Sequence, residues 1–199
     1  MTYVVACIVA YLLGSIPVSL LVARRHGVDL YATGDGNPGA WNALEQLGPR
    51  RAWPAFAGDA AKGLAAGLLG VALGDVWVGY AAVAAAMLGH AFPLFAGFRG
   101  GKSVMTFAGG MLAVAPLPAA IALGACVLVS LLARSFAIGA RVGIFGFPVV
   151  QLALDAGEPE RVAATGGLMC LIGARFLLSP RAPGAPASPA APRGSSPRR

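Results

Sequence analysis

Seven apolar runs, at residues 2–23, 53–74, 76–95, 104–116, 117–133, 139–156 and 162–178, fill most of this chain and leave few folds open to it. A helix needs about 20 apolar residues to cross the hydrocarbon core of a bilayer, where every backbone polar group must be paired within the structure. Several of the runs reach that length. The run 104–116 is short, which predicts a tilted or re-entrant segment, and Pro116 and Pro118 separate it from the next. Counting every run gives seven crossings; discounting the short ones gives five or six.

Composition agrees with this reading. Charged residues make up 12% of the chain, about half the fraction in soluble domains. Ala and Gly abound, and small residues let membrane helices approach closely. The expectation is an all-α integral membrane protein, a polytopic bundle of about seven transmembrane helices over residues 1–179. The Pro-, Ala- and Arg-rich tail 180–199 has too few apolar residues for a core and is expected to be disordered. Cys7, Cys126 and Cys170 lie inside apolar runs without metal-ligand spacing, so neither a disulfide framework nor a metal site is expected. The net charge of +7 is scattered, with no aromatic-studded basic patch, and no nucleic-acid partner is expected.

The scatter of basic residues sets an orientation, because cytoplasmic loops collect Lys and Arg. With the N-terminus outside, Arg24, Arg25, Arg50, Arg51, Arg99, Lys102, Arg134, Arg141, Arg175 and the tail arginines all fall on the cytoplasmic side. Arg161 alone falls outside and Lys62 lies within a span. The first run has no basic residue ahead of it and Arg24-Arg25 behind it, the pattern of a retained helix rather than a cleaved signal peptide. The expectation is a multi-pass membrane protein with the C-terminus cytoplasmic.

Two glycine-rich polar loops interrupt the apolar runs on that cytoplasmic side. The first reads Gly34-Asp35-Gly36-Asn37-Pro38-Gly39-Ala40-Trp41-Asn42; the second reads Phe98-Arg99-Gly100-Gly101-Lys102-Ser103, just after Gly89-His90-Ala91-Phe92-Pro93. Glycines let successive backbone N–H groups turn toward one point, a concavity that suits phosphate, and a neighbouring lysine supplies countercharge. The second loop precedes an apolar segment that starts a helix, whose N-terminus favours an anion. It lacks the glycine spacing of a Walker A loop. Gly34, Gly36, Gly39, Lys62, Arg99, Gly100, Gly101 and Ser103 are therefore candidate phosphate contacts, and Lys102 the countercharge. Asn37 and Asn42 can close the first cup, Asp35 repels an anion there unless it faces away or meets a base, and His90 suits a capping or packing role as well as a catalytic one. An ordinary turn and a positive-inside lysine account for the same loops more plainly. Asp59 and Lys62, three apart, share a helix face inside a span, where ionisable groups face a polar interior. Gly14-Ser15-Ile16-Pro17 predicts a kink in the first helix.

Taken together these stretches resemble the bacterial membrane acyltransferases that use acyl-phosphate to acylate glycerol 3-phosphate. The likeness rests on Gly14 to Pro17, Gly34 to Asn42, Asp59 with Lys62-Gly63, Gly89 to Pro93, and Phe95 to Lys102, over roughly residues 8–134. It implies a bundle of about seven spans with the N-terminus outside. It also implies acyl transfer to the 1-hydroxyl of glycerol 3-phosphate, giving lysophosphatidic acid and phosphate. Acyl-phosphate, glycerol 3-phosphate and membrane lipids are then the partners, with no cofactor and no metal. The location implied is the bacterial inner membrane, and the catalytic candidates are Asp35, Asn37, Asn42, His90 and Lys102.

The sequence departs from the family pattern in places. Asp35 stands where the family has Ser, Trp41 where it has Thr, and Glu45 where it has Arg; Ala137 and Ala140 replace serines around Gly139; and the His, Asn and Glu that follow the family's last span are missing. Two further readings stay open: a divergent relative that binds a phosphorylated lipid precursor without this catalysis or acylates another acceptor, and a small transporter.

Overall fold

The computed structural model describes residues 1–179; the tail expected to be disordered lies outside the described residues. The chain forms α1 (Thr2–Gly14), α2 (Val18–Arg25), α3 (Ala40–Leu47), α4 (Pro49–Leu73), α5 (Val76–Ala91), α6 (Val104–Val114), α7 (Pro116–Leu132), α8 (Phe136–Leu154) and α9 (Pro159–Leu178), with a 3₁₀ turn at Leu94–Ala96. No strand occurs among the described residues. Five segments are long and apolar enough to cross a membrane: Thr2–Arg25, Pro49–Leu73, Val76–Ala96, Phe136–Leu154 and Pro159–Leu178. The shorter apolar helices α6 and α7 match the two runs flanking Pro116.

Local chemistry explains the breaks. α1 stops at Gly14 and α2 begins at Val18, since Pro17 has no N–H to continue the ladder. The Ser15 hydroxyl turns back to the Tyr11 carbonyl at 2.8 Å. Lys62 Nζ, reaching from α4, donates to the Ile16 carbonyl exposed by the break at 3.0 Å. Gly48, at φ 74°, ends α3, and Pro49 opens α4 at a position where its missing N–H costs nothing. The short α3 was hidden in the sequence because its eight residues follow directly on a turn-rich loop.

Small residues set the spacing between helices. A Cβ added at Gly63 would overlap the Thr106 carbonyl, and one at Gly109 the Ala60 carbonyl, so α4 and α6 cross at backbone contact. Gly14 lies equally close to Ala86, Gly89 to the Tyr11 carbonyl, and Gly139 to the Cys126 carbonyl. α1 runs parallel to α5, with Thr2 beside Gly74 at one end and Gly14 against Ala86 toward the other; α4 runs parallel to α6, with Gly63 against Thr106 and Gly67 against Ala113; and α7 runs antiparallel to α8, with Gly139 against Cys126 and Gly143 against Ala122. The bundle therefore has two distinct ends. One gathers Arg24, Arg25, Arg50, Arg51, Arg99 and Lys102, joined there by Arg175 through its bonds to Gly100 and Gly101. The other carries Asp75, Asp155 and Glu158. Phe107, Met87, Met111 and Val83 fill the centre, whereas Leu131, Phe145 and Val149 project outward as lipid-facing side chains do.

Candidate active site

At the basic end a small pocket opens between the α1–α2 break, α4, α5 and the two glycine-rich loops. Ile16, Pro17, Ser19, Pro38, Asp59, Lys62, His90, Arg99, Gly100 and Gly101 line it. Asp59 is its hub and is 1% exposed. Its Oδ2 accepts from the Ser19 hydroxyl at 2.7 Å. Its Oδ1 lies 2.9 Å from Lys62 Nζ and 3.5 Å from His90 Nδ1. A carboxylate and an ammonium buried together persist only because each answers the other. The three-residue spacing predicted the Asp59–Lys62 pair; the arrival of His90 and Ser19 at the same carboxylate needed the tertiary fold.

The second loop is pressed against α5. Gly101 N–H donates to the His90 carbonyl at 3.1 Å. A Cβ at Gly100 would strike that same carbonyl, and one at Gly101 would strike the His90 ring, so both positions demand glycine. Ser103 adopts a left-handed backbone, φ 61°, and its hydroxyl goes to the Met87 carbonyl at 2.7 Å. It anchors the loop and does not cap α6. Arg99 lies over the Tyr31 ring at 4.4 Å, while the Tyr31 hydroxyl donates to the Arg99 carbonyl at 2.7 Å. Burial pushes the Tyr31 phenol up from its ordinary value, with Arg99 opposing. From α9, Arg175 donates to the carbonyls of Gly100 and Gly101. In the sequence nothing distinguishes Arg175, at the end of a span, from an ordinary positive-inside arginine.

The first loop closes on itself instead of forming the open cup its glycines suggest. Gly34 and Gly36 take left-handed conformations, φ 59° and 70°. The N–H of Gly36 goes to the Thr33 carbonyl and that of Gly39 to the Asn37 carbonyl. An ordered loop pairs much of its own backbone, and these bonds take up two of its three glycine N–H groups. Asn42 is a buried clip: its Nδ2 donates to the carbonyls of Leu30, Thr33 and Asn37. Asp35 fills the remaining position. Its Oδ1 accepts the Asn37 N–H at 3.0 Å and its Oδ2 meets Lys102 Nζ at 2.9 Å. Glu45 sits on the exposed side of α3 and accepts from Trp41 Nε1 at 2.9 Å, so it does not line the pocket. Lys102 also rests 4.7 Å over the Phe176 ring.

Fold and pocket first define a class: a multi-pass helical membrane protein with a basic, glycine-lined pocket at one end of its bundle. The glycerol-3-phosphate acyltransferase family model matches residues 4–179. The chain belongs to that family. A relative named glycerol-3-phosphate acyltransferase from Clostridioides difficile (strain 630) is 39% identical over 158 residues, covering 76% of this chain and 78% of the relative. One of the same name from Geobacter sulfurreducens is 40% identical over 149 residues, covering 74% and 76%. Among solved structures, PlsY, an integral membrane glycerol 3-phosphate acyltransferase, superposes in its glycerol 3-phosphate form with a TM-score of 0.78 at 30% identity, over 89% of each chain. Its lysophosphatidic acid form gives 0.74 at 29% identity.

Proposed function

We propose that this protein transfers an acyl group from acyl-phosphate to the 1-hydroxyl of glycerol 3-phosphate, at the cytoplasmic face of the bacterial inner membrane. Family membership supports the reaction, and the collection of basic residues at one end of the bundle supports the orientation. The observation that carries the reading is the pocket itself. It brings a buried lysine, a clamped glycine pair and both polar loops to one place at the end of an apolar bundle. There a water-soluble phosphate can meet a lipid-soluble acyl donor.

Acyl-phosphate is an activated mixed anhydride, so the protein's task is mainly to position two phosphates and to stabilise charge. The hydroxyl oxygen of glycerol 3-phosphate bonds to the acyl carbon. The bond from that carbon to the phosphate oxygen breaks with its electron pair, and the hydroxyl proton ends on the released phosphate. Lys62 and Lys102 supply positive charge to the phosphates. Asp59 holds Lys62, and with Ser19 and His90 fixes the pocket wall; Gly100 and Gly101 let the loop approach closely. Asn42 acts by shaping the first loop.

Purified protein in lipid mesophase, given acyl-phosphate and glycerol 3-phosphate, should release inorganic phosphate in step with lysophosphatidic acid. Lys102→Ala should abolish that release, and turnover that needs no glycerol 3-phosphate would sink the reading. One observation favours a second reading, a relative without this catalysis: Lys102 is already countered by Asp35. A silent parent that gains acyl transfer on Asp35→Ser would decide for it.

A further inference from the structure

The end of α9 holds the second loop through two consecutive residues. Arg175 Nη2 donates to the Gly100 carbonyl at 2.9 Å and Nε to the Gly101 carbonyl at 3.2 Å. Its guanidinium lies 4.8 Å from the Phe92 ring centroid, which fixes its plane. The next residue, Phe176, carries Lys102 on its ring face. Elsewhere α9 is loosely seated, with only Thr165, Leu168 and Ile172 buried, so this contact is out of proportion to the rest of its packing.

The fork has a consequence for the loop's other side. In a trans peptide the N–H points opposite to the carbonyl. Drawing the Gly100 and Gly101 carbonyls toward α9 therefore turns the Gly101 and Lys102 N–H groups away from it. The first of these goes to the His90 carbonyl. The second has no protein acceptor among the described residues. Two carbonyl oxygens, which would repel an anion, are thereby sequestered by a cation that matches their spacing. Gly100 and Gly101 line the pocket.

We infer that Arg175 is a positioning residue for phosphate binding: it fixes the Gly100–Lys102 backbone so that a phosphate monoester meets the Lys102 N–H and ammonium instead of carbonyl oxygens. Arg175 does so without touching the substrate. This rests on the reading of the pocket as a phosphate site. It also gives the end of α9 a role in a chain that lacks the His, Asn and Glu following the last span in its family.

The test is equilibrium binding of glycerol 3-phosphate and of inorganic phosphate to the full chain in detergent, for the parent, Arg175→Ala and Arg175→Lys, with Tm recorded for each. Arg175→Ala should weaken binding of both probes about tenfold or more, the scale of lost charge-assisted hydrogen bonds. Millimolar guanidinium should restore part of that affinity. Arg175→Lys keeps the charge but not the fork, and should remain clearly weaker than the parent at an unchanged Tm. Parent-like binding in Arg175→Ala overturns the inference. So does a loss that follows a fall in Tm and does not respond to guanidinium. Should Arg175→Ala fail to fold, Arg175→Lys decides by the same criterion. Acyl transfer is measured separately. A parent without turnover whose phosphate binding depends on Arg175 defeats the proposed reaction alone; an active parent with a parent-like Arg175→Ala defeats this inference alone.

Discussion

Asp35 and Lys102, 67 residues apart in the chain, meet at 2.9 Å and tie the first glycine-rich loop to the second. The Asp35 carboxylate is bound by a backbone N–H on one oxygen and an ammonium on the other. Those are the groups a phosphate would seek, so the protein's own carboxylate occupies a ready-made anion position. The pair is partly open to water, the Asp35 side chain 38% exposed and that of Lys102 19%. Such pairs contribute about 0–1 kcal/mol, little enough for a doubly charged phosphate to displace the carboxylate.

Asp35→Ser should therefore lower KM for glycerol 3-phosphate several-fold while leaving Tm essentially unchanged. Steady-state phosphate release across a range of glycerol 3-phosphate concentrations measures it. A collapse of kcat with KM unchanged would instead place Asp35 in the chemical step.

The Asp59–Lys62 pair answers to different energetics because both side chains are buried. Removing one partner leaves an uncompensated charge in a dry site, at a cost of about 3–5 kcal/mol. Asp59→Ala should thus lower Tm sharply in thermal unfolding in detergent. The double variant Asp59→Leu with Lys62→Met should regain much of that stability yet remain inactive, because the pocket loses its buried cation. Stability restored together with activity would show that Lys62 serves packing alone.

The apolar runs made the helices legible, since a bilayer leaves the backbone no alternative, and Pro17 and Pro116 marked true breaks. The Asp59–Lys62 pair was legible from helix periodicity. Ser19 on Asp59 and Arg175 on Gly100 were not, because 40 and 75 residues separate them and nothing local records which helices become neighbours. The first loop misled in an instructive way. Gly34 and Gly36 do make left-handed turns, but the N–H groups of Gly36 and Gly39 serve the loop itself, and Asn42, a candidate site residue, holds it closed.

Helix spacing provides a paired test. Gly109→Val places side-chain atoms into the Ala60 backbone, where no flexible neighbour can move aside, and should lower the yield of folded protein severely. Gly124, in α7, has nothing within 4 Å of the position a Cβ would take. Gly124→Ala should be neutral or stabilising by up to about 1 kcal/mol, from helix propensity. Comparable losses in both variants, read by size-exclusion yield and Tm, would contradict the close α4–α6 crossing.

Tyr31 offers a test by pH, in a loop outside the spans. Its phenol is raised above the ordinary value of 10.0, with burial the largest cause. A group that holds its proton more tightly when folded contributes stability that is present below its unfolded pKa and is lost as pH rises through the folded one. Stability should therefore decline from about pH 10 upward, and Tyr31→Phe should flatten that part of the decline. At neutral pH the same variant keeps the ring beneath Arg99 but loses the bond to the Arg99 carbonyl, a cost of about 1 kcal/mol. Tyr31→Ala removes both contacts and should release Arg99 from the pocket wall, raising KM for glycerol 3-phosphate more than Tyr31→Phe does. Equal KM values in the two variants would show that the stacked ring does not hold Arg99 in place.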